Sequence, residues 1–179
     1  RKAAIDDPEV VLEAAARFLE ARSRSVVEVR RRLTGAGYRE DLVEGAIERL
    51  VELGMLDDDV FARAWVESRD RARPRGERAI REELRLKGID GSIVDAVMAE
   101  RRETAATTFA PSDDPDAAPL SADRIAAERL IARHARSLAR VADPRQRRQR
   151  AYALLARNGF DPETVGDVIG RWIDQPAPD

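Results

Sequence analysis

Apolar residues recur at intervals of three and four along most of the chain, which is the spacing of one helix face and not of a strand. Three times a helical run ends with a leucine, three further residues, a glycine and a bulky apolar residue, and another helical run follows at once. The three copies are Leu33–Tyr38, Leu84–Ile89 and Leu155–Phe160. Because the apolar positions after each glycine also correspond, the pattern predicts an all-α protein made of tandem helical repeats.

The spacing of the repeated glycines predicts the domain organisation. Gly37, Gly88 and Gly159 stand 51 (88−37) and 71 (159−88) positions apart, so the second interval contains an insertion. Residues 104–121 are rich in proline and aspartate and have no helical stripe, which is typical of a flexible acidic linker. We therefore expect an elongated array of three three-helix repeats, at residues 9–54, 55–103 and 122–174, with this linker between the second and third and a disordered tail at 175–179.

Local signals predict where several helices begin. Ser25 and Glu28 have the spacing of a capping box. Asp143 precedes Pro144 in the way that an N-cap residue precedes a proline at the first helical position. By the same reasoning, Pro74 is expected in the first turn of a helix that runs on to Gly88.

Composition excludes several classes of protein. The chain has no cysteine, so it has neither a disulfide framework nor a thiolate metal site. No stretch approaches the roughly 20 consecutive apolar residues of a membrane-spanning helix. We therefore expect a cytoplasmic protein with no membrane partner. Because the first residue is Arg1, we also expect an initiator segment to be missing.

Residues suited to catalysis are scarce in this sequence. His134 is the only histidine, and it has no cysteine or histidine companion for a metal site or a catalytic triad. The glycines stand singly at helix ends and form no phosphate-binding loop. We expect no enzymatic activity, no cofactor and no metal.

Arginine is the residue type that suggests a partner. Of the 32 basic residues only Lys2 and Lys87 are lysine, and arginine binds carboxylates and phosphates bidentately. Between Arg69 and Lys87, eight basic residues stand against four acidic ones. A second cluster follows Asp143 in the first turn of a helix, where each positive charge costs about 0.3–1 kcal/mol against the helix dipole.

An arginine that is disfavoured by the helix dipole and has no structural role in the fold suggests that a ligand binds there. The predicted contacts to acidic or phosphate groups are Arg69, Arg73, Arg75, Arg78, Arg81, Arg85, Arg140, Arg145, Arg147, Arg148 and Arg150. The competing interpretation is a purely structural helical scaffold whose arginines are ordinary solvated residues.

The sequence argues against two modes of nucleic-acid recognition. A helix, a glycine turn and a second helix outline a helix-turn-helix, whose second helix enters the major groove. Here those second helices carry acidic residues such as Glu44 and Asp95, which phosphate would repel. The tyrosine and tryptophan residues, Tyr152 among them, are expected mostly in the core, so no base-stacking platform is predicted.

Several stretches together resemble the signature of a known family. They are Gly54–Arg69 (GMLDDDVFARAWVESR), Arg73–Gly76 (RPRG), Ile80–Ile89 (IREELRLKGI) and, in the first repeat, Arg30–Leu33 followed by Gly37-Tyr38. This combination resembles the bacterial RecX regulators. The resemblance is close from about Val10 to Arg101 and looser through Leu154–Phe160.

The resemblance implies a modulator of the RecA recombinase that acts in recombination, DNA repair and the SOS response. It also implies binding along the groove of the RecA filament, inhibition of the RecA ATPase and strand exchange and, as in many family members, binding to DNA. The expected partner is thus the RecA filament, with single- or double-stranded DNA as a further candidate, and we expect a monomer. The alternative is a DNA-binding helical module that competes for single-stranded DNA. The long linker at 104–121 departs from the family pattern.

Overall fold

The structure is a computed structural model that describes residues 7–108 and 120–174. Within these ranges the chain forms nine α-helices and no β-strand. The helices are α1 (Pro8–Glu20), α2 (Val26–Gly35), α3 (Glu40–Glu52), α4 (Asp58–Ala72), α5 (Glu77–Leu86), α6 (Gly91–Thr108), α7 (Ala122–Ala139), α8 (Pro144–Arg157) and α9 (Pro162–Asp174). The prediction of an all-α fold is confirmed.

The described residues divide into two compact units. The N-terminal unit contains the residues up to Trp65 together with Leu84–Asp95. The C-terminal unit contains Val66–Glu83 together with the residues from Ala96 onwards. The division therefore runs through α4, α5 and α6, which are the helices of the second predicted repeat.

The glycine turn that repeats in the sequence also repeats in the backbone. The three glycines adopt φ angles of 85°, 78° and 83°, which residues with a side chain rarely adopt. In each turn the residue after the glycine donates its N–H to the carbonyl of the repeated leucine. These bonds are Tyr38 to Leu33 (3.4 Å), Ile89 to Leu84 (3.1 Å) and Phe160 to Leu155 (3.4 Å). The three copies are thus the same helix-ending structure.

Two apolar cores hold the first and third helix triplets together. In the N-terminal unit, α1, α2 and α3 enclose Val11, Ala15, Val29, Leu33, Tyr38, Val43, Ala46, Ile47, Leu50 and Leu56. In the C-terminal unit, α7, α8 and α9 enclose Ala126, Ala127, Leu130, Ile131, Leu138, Ala151, Leu155, Phe160, Val165, Val168 and Ile169. These residues include the apolar positions that correspond between repeats after Gly37 and after Gly159, because their spacing places them on one helix face.

The helix starts agree with the local signals in two cases out of three. The Ser25 hydroxyl accepts from the N–H of Glu28, and the Glu28 carboxylate accepts from the N–H of Ser25, which completes the predicted capping box. Asp143 caps α8 as predicted, with Pro144 at the first helical position. The prediction for Pro74 is wrong: it is buried in the turn before α5, which begins only at Glu77.

The predicted acidic linker begins inside a helix. α6 continues to Thr108, so the residues from Thr104 to Thr108 are helical, and Ala105 is buried. At the other end Ser121 caps α7 by accepting from the N–H of Arg124. The remaining linker residues, 109–119, and the predicted tail, 175–179, lie outside the described residues.

Within the N-terminal unit, the start of α2 is held by residues from the second repeat. The Ser25 hydroxyl donates to the carbonyl of Lys87 (2.6 Å), just before the turn glycine. The N–H of Val26 donates to the carboxylate of Asp58 (2.9 Å), in the first turn of α4. The N–H of Val26, which has no partner within its own helix, is therefore satisfied by the following repeat.

Within the C-terminal unit, the start of α5 is held in the corresponding way. The N–H of Gly76 donates to the carbonyl of Asn158 (3.0 Å), again just before the turn glycine. The N–H of Glu77 donates to both carboxylate oxygens of Asp123 (3.0 and 2.9 Å), in the first turn of α7. The same junction is thus built twice, with corresponding hydrogen bonds made by different residues.

Two of the turn glycines lie directly against the preceding repeat. A Cβ atom at Gly88 would lie 2.6 Å from the Cβ of Val27, and one at Gly159 would lie 2.7 Å from the backbone nitrogen of Ala79. Both distances are too short for a side chain. At Gly37, in the first repeat, a Cβ would meet no described atom within 4 Å. At Gly88 and Gly159, glycine is therefore required both by the backbone conformation and by packing. At Gly37 it is required by the backbone conformation alone.

Candidate functional site

Three of the predicted contact arginines are already paired with carboxylates of the C-terminal unit. Arg69 lies 2.5 Å from the Glu83 carboxylate, and Arg75 lies 3.5 Å from the same group. Arg81 lies 2.9 Å from Glu77. The Arg69 and Arg81 side chains are only 16% and 22% exposed. Much of the positive charge predicted for this stretch is therefore neutralised within the fold.

Three other predicted contact arginines of the second repeat are exposed. They are Arg73 and Arg78, in the C-terminal unit, and Arg85, in the N-terminal unit. Their side chains make no hydrogen bond or ion pair with a residue that the structure describes. These arginines remain free to bind a partner.

A buried arginine that the sequence reasoning missed organises the C-terminal unit. The Arg101 side chain is 4% exposed, and its guanidinium donates to the carboxylates of Asp70 (2.9 to 3.2 Å) and Asp123 (2.6 Å). Burial raises the pKa of Asp123, although Arg101 and the N–H of Glu77 oppose that change. Nothing in the spacing of these residues signals the cluster, because it joins α4, α6 and the first turn of α7.

Two further arginines, both on α7, hold the end of α4. Arg129 donates to the carbonyl of Asp70 (3.3 Å), and Arg133 donates to the carbonyls of Arg71 and Ala72. Carbonyls in the last turn of a helix have no partner within the helix and attract positive charge. These arginines therefore serve the fold.

Lys87, in the N-terminal unit, is also paired within the fold. Lys87 lies 3.0 Å from the Glu28 carboxylate, and its ammonium nitrogen stands 4.2 Å from the ring centroid of Trp65. Burial alone would raise the pKa of Glu28, but hydrogen bonds from Arg22, Lys87 and the N–H of Ser25 outweigh it and lower the pKa to about 2.

α8 differs from the corresponding helices of the other repeats in length and charge. α2 and α5 have 10 residues each, whereas α8 has 14, and all three end two residues before their turn glycine. The additional turn of α8 therefore lies at its N-terminus. α8 contains no acidic residue, while its first two turns carry four arginines.

The four arginines at the start of α8 have different surroundings. Arg147 is half-buried and donates to the carbonyl of Val141 (3.0 and 2.9 Å), so it fastens the loop before the helix. Arg145, Arg148 and Arg150 are exposed, and their side chains bind no described residue. The candidate site is thus an exposed cationic surface and not a cluster of four equivalent charges.

Two further features of the third repeat are Arg140 and a cavity between α7 and α8. Arg140 is exposed at the C-cap of α7. Arg150 lines a cavity of about 250 Å³ together with His134, Ser137, Leu138, Ala153, Leu154 and Arg157. The Nδ1 atom of His134 lies 3.0 Å from the carbonyl of Leu130, so the histidine is tied to its own helix.

Tyr152 is not in the core, and the prediction that placed it there is wrong. The residue is 48% exposed, because the core-facing positions of α8 are Ala151 and Leu155. Helical spacing places Tyr152 on the same side of α8 as Arg148, four residues earlier, and Arg145, seven residues earlier. An exposed aromatic residue therefore shares a side of α8 with two exposed arginines whose side chains have no partner among the described residues.

Within residues 7–108 and 120–174, no three histidine, cysteine, aspartate or glutamate side chains are grouped so that they could hold a metal ion. None of the helices described is long and apolar enough to span a membrane.

The fold and the site together define a protein of tandem three-helix repeats that presents free arginine side chains. The sequence matches the model for the first three-helix domain of RecX at residues 12–50, and the model for the second three-helix domain of RecX at residues 57–98. The chain belongs to the RecX family.

Individual relatives agree with this assignment. A protein named regulatory protein RecX from Mycobacterium sp. (strain JLS) is 34% identical over 156 residues, which cover 86% of this chain and 76% of the relative. Another protein of that name, from Mycolicibacterium vanbaalenii, is 30% identical over 159 residues, covering 86% of this chain and 77% of the relative.

Solved structures share the fold. The crystal structure of RecX from Lactobacillus salivarius matches with a TM-score of 0.70 and 19% identity, covering 93% of this chain and 96% of that one. A crystal structure of a regulatory protein RecX matches with a TM-score of 0.67 and 20% identity, covering 90% of this chain and 70% of that one. The family is thus one of regulatory proteins built from three-helix domains.

Proposed function

We propose that this protein is a non-enzymatic regulator that binds the RecA nucleoprotein filament, along its groove, and inhibits the RecA ATPase and strand exchange. Its role is then in recombination, DNA repair and the SOS response. Membership of the RecX family supports a regulatory role. The observation that carries the proposal is the N-terminal half of α8, where Arg145, Arg148 and Arg150 are exposed and their side chains have no partner among the described residues.

The additional turn is not required by the junction between repeats. Both junctions are built at helices of 10 residues, and α8 reaches its turn glycine with the same spacing. Arg145 lies in the first turn of α8, where the positive end of the helix dipole disfavours its charge by about 0.3–1 kcal/mol, and Arg148 follows in the second turn. In the described residues their side chains gain no contact that offsets this cost. A partner that supplies carboxylate or phosphate groups would offset it.

The test is a titration of RecA filaments with the protein, following ATP hydrolysis and the amount of protein bound per RecA. Charge reversal of both residues, in the variant Arg145→Glu with Arg148→Glu, is expected to raise the concentration for half-inhibition at least about tenfold, which corresponds to 1.4 kcal/mol. Two lost charge-assisted contacts are sufficient for a change of that size.

The matched control is Arg17→Glu with Arg49→Glu, which changes the net charge equally at exposed positions of α1 and α3. This control is expected to inhibit as the unchanged protein does. If the α8 variant inhibits as well as the control, the arginines of α8 do not bind the filament.

A second function is favoured by the exposed ring of Tyr152: a DNA-binding helical module that competes with RecA for single-stranded DNA. Binding to DNA without RecA, measured across salt concentrations, separates the two functions. Tight binding with a steep salt dependence would favour competition for DNA. Negligible binding at physiological salt, together with full inhibition of the ATPase, would favour direct binding to the filament.

A further inference from the structure

The three repeats differ at one equivalent position on the helix before the turn glycine. Seven residues before each glycine stand Arg30, Arg81 and Tyr152. Arg30 forms a bidentate pair with Glu44 (2.6 and 2.7 Å), and Arg81 pairs with Glu77 (2.9 Å). In the third repeat the position is a tyrosine that is 48% exposed.

Charge around this tyrosine is uniformly positive along its own helix. α8 has no aspartate or glutamate, whereas α2 and α5 carry acidic residues. Arg148 and Arg145 occupy the same side of α8 as Tyr152, and their backbone positions are about 6 and 10 Å from that of Tyr152 along the helix axis. Both are exposed, and both lack a side-chain partner among the residues described.

We propose that Tyr152, Arg145 and Arg148 form a binding site for single-stranded DNA, in which a base stacks on the tyrosine ring while the two guanidinium groups contact phosphates. Stacking on an exposed aromatic side chain beside basic residues is how single strands are bound without sequence preference. A duplex offers phosphates to the arginines but keeps its base faces stacked within the helix. The tyrosine therefore confers a preference for single strands.

This inference deepens the second function proposed above and does not require inhibition of RecA. The probe is a short labelled oligothymidylate, compared with a duplex of the same length, and binding is followed by fluorescence anisotropy without RecA. The protein is expected to bind the single strand more tightly than the duplex. For the single strand, the logarithm of the binding constant is expected to fall with the logarithm of the salt concentration, with a slope of about 0.7 for each phosphate contacted.

Removal of the ring isolates the stacking. Tyr152→Ala is expected to weaken binding of the single strand about tenfold, which corresponds to 1.4 kcal/mol, and to leave duplex binding unchanged. Tyr152→Phe keeps the aromatic face and is expected to restore most of the affinity. Leu86→Ala, which shortens another exposed apolar side chain, is the matched control and is expected to bind as the unchanged protein does.

Removal of the charges isolates the phosphate contacts. Arg145→Gln with Arg148→Gln is expected to weaken binding of both probes and to lower the salt slope on the single strand by about 1.4. An oligothymidylate containing bromodeoxyuridine, irradiated in the complex, is expected to cross-link at Tyr152.

Three outcomes would overturn the site: no binding of the single strand, equal affinity for both probes, or equal losses for Tyr152→Ala and Leu86→Ala. A site that fails while inhibition of the RecA ATPase persists leaves the filament proposal standing. If instead Tyr152→Ala abolishes inhibition of preassembled filaments without affecting DNA affinity, the ring contacts RecA itself and the DNA site is wrong.

Discussion

Replacement of Gly88 by alanine tests whether the turn glycines join the repeats or only end their helices. At Gly88 the new methyl group would meet the Val27 side chain, with Cβ at 2.6 Å and Cγ1 at 2.9 Å. At Gly37 the φ angle is 85° instead of 78°, but a new methyl group would meet no described atom within 4 Å. Gly37→Ala therefore carries the backbone cost alone, whereas Gly88→Ala carries the backbone cost and a clash.

The expected magnitudes follow from these two contributions. Left-handed backbone at alanine costs roughly 1–2 kcal/mol, partly offset by the smaller entropy of the unfolded chain, so Gly37→Ala is expected to lose about 1 kcal/mol of unfolding free energy. Overpacking at Gly88 adds about 1–3 kcal/mol. With a urea slope of about 2 kcal/mol/M, the two midpoints should differ by roughly 0.5–1.5 M.

The assay is urea unfolding followed by far-ultraviolet circular dichroism. Both glycines lie in the N-terminal unit, so the two variants perturb the same body. Adding Val27→Ala to Gly88→Ala removes both methyl groups of Val27 from the clash and is expected to recover part of the lost unfolding free energy. Equal midpoints for Gly88→Ala and Gly37→Ala would refute the reasoning, because the contact with Val27 would then contribute nothing.

Two further predictions concern charged groups inside the units. Arg101→Met removes the ion-pair partner of Asp70 and Asp123 and should cost about 3 kcal/mol in urea unfolding. Arg102→Met, at its exposed neighbour, should cost under about 1 kcal/mol, and equal losses would contradict the role of the buried cluster. The pKa of Glu28 is lowered to about 2, so its contribution to stability is present above the ordinary carboxylate pKa and is lost as the pH falls toward 2. The fall in stability over that pH range, measured by urea unfolding, should therefore be shallower in Glu28→Gln, and an unchanged profile would contradict the assignment.

Much of the fold could be predicted from the sequence because its signals are local. The turn glycines, the capping box at Ser25 and the proline start of α8 depend on residues within a few positions of each other. The spacing of apolar residues likewise predicts which face of a helix is buried. The error at Pro74 has a physical reason: α5 begins instead at Glu77, whose N–H is held by a carboxylate 46 residues away in sequence.

The candidate site could be predicted only in part because pairing depends on tertiary structure. A local excess of arginine does not distinguish Arg69, which is paired with Glu83, from Arg78, which is exposed. The partners of Arg101 lie 31 and 22 residues away on other helices. Tyr152 was misplaced because it directly follows a core position of α8, and a shift of one residue turns a helical side chain by about 100°.

Equivalent positions in the three repeats can be compared with one another to separate residues that the fold requires from residues that it does not. Positions that join one repeat to the next recur at both junctions, as the hydrogen bonds at Val26 and Glu77 show. The additional turn of α8 and the tyrosine at position 152 occur in one repeat only. Arg147 lies in the same turn and has a structural partner, so this turn can satisfy a guanidinium when the fold requires it. Because Arg145 is not satisfied in this way and Tyr152 is exposed beside a core position, we propose that both residues contact a molecule outside the chain.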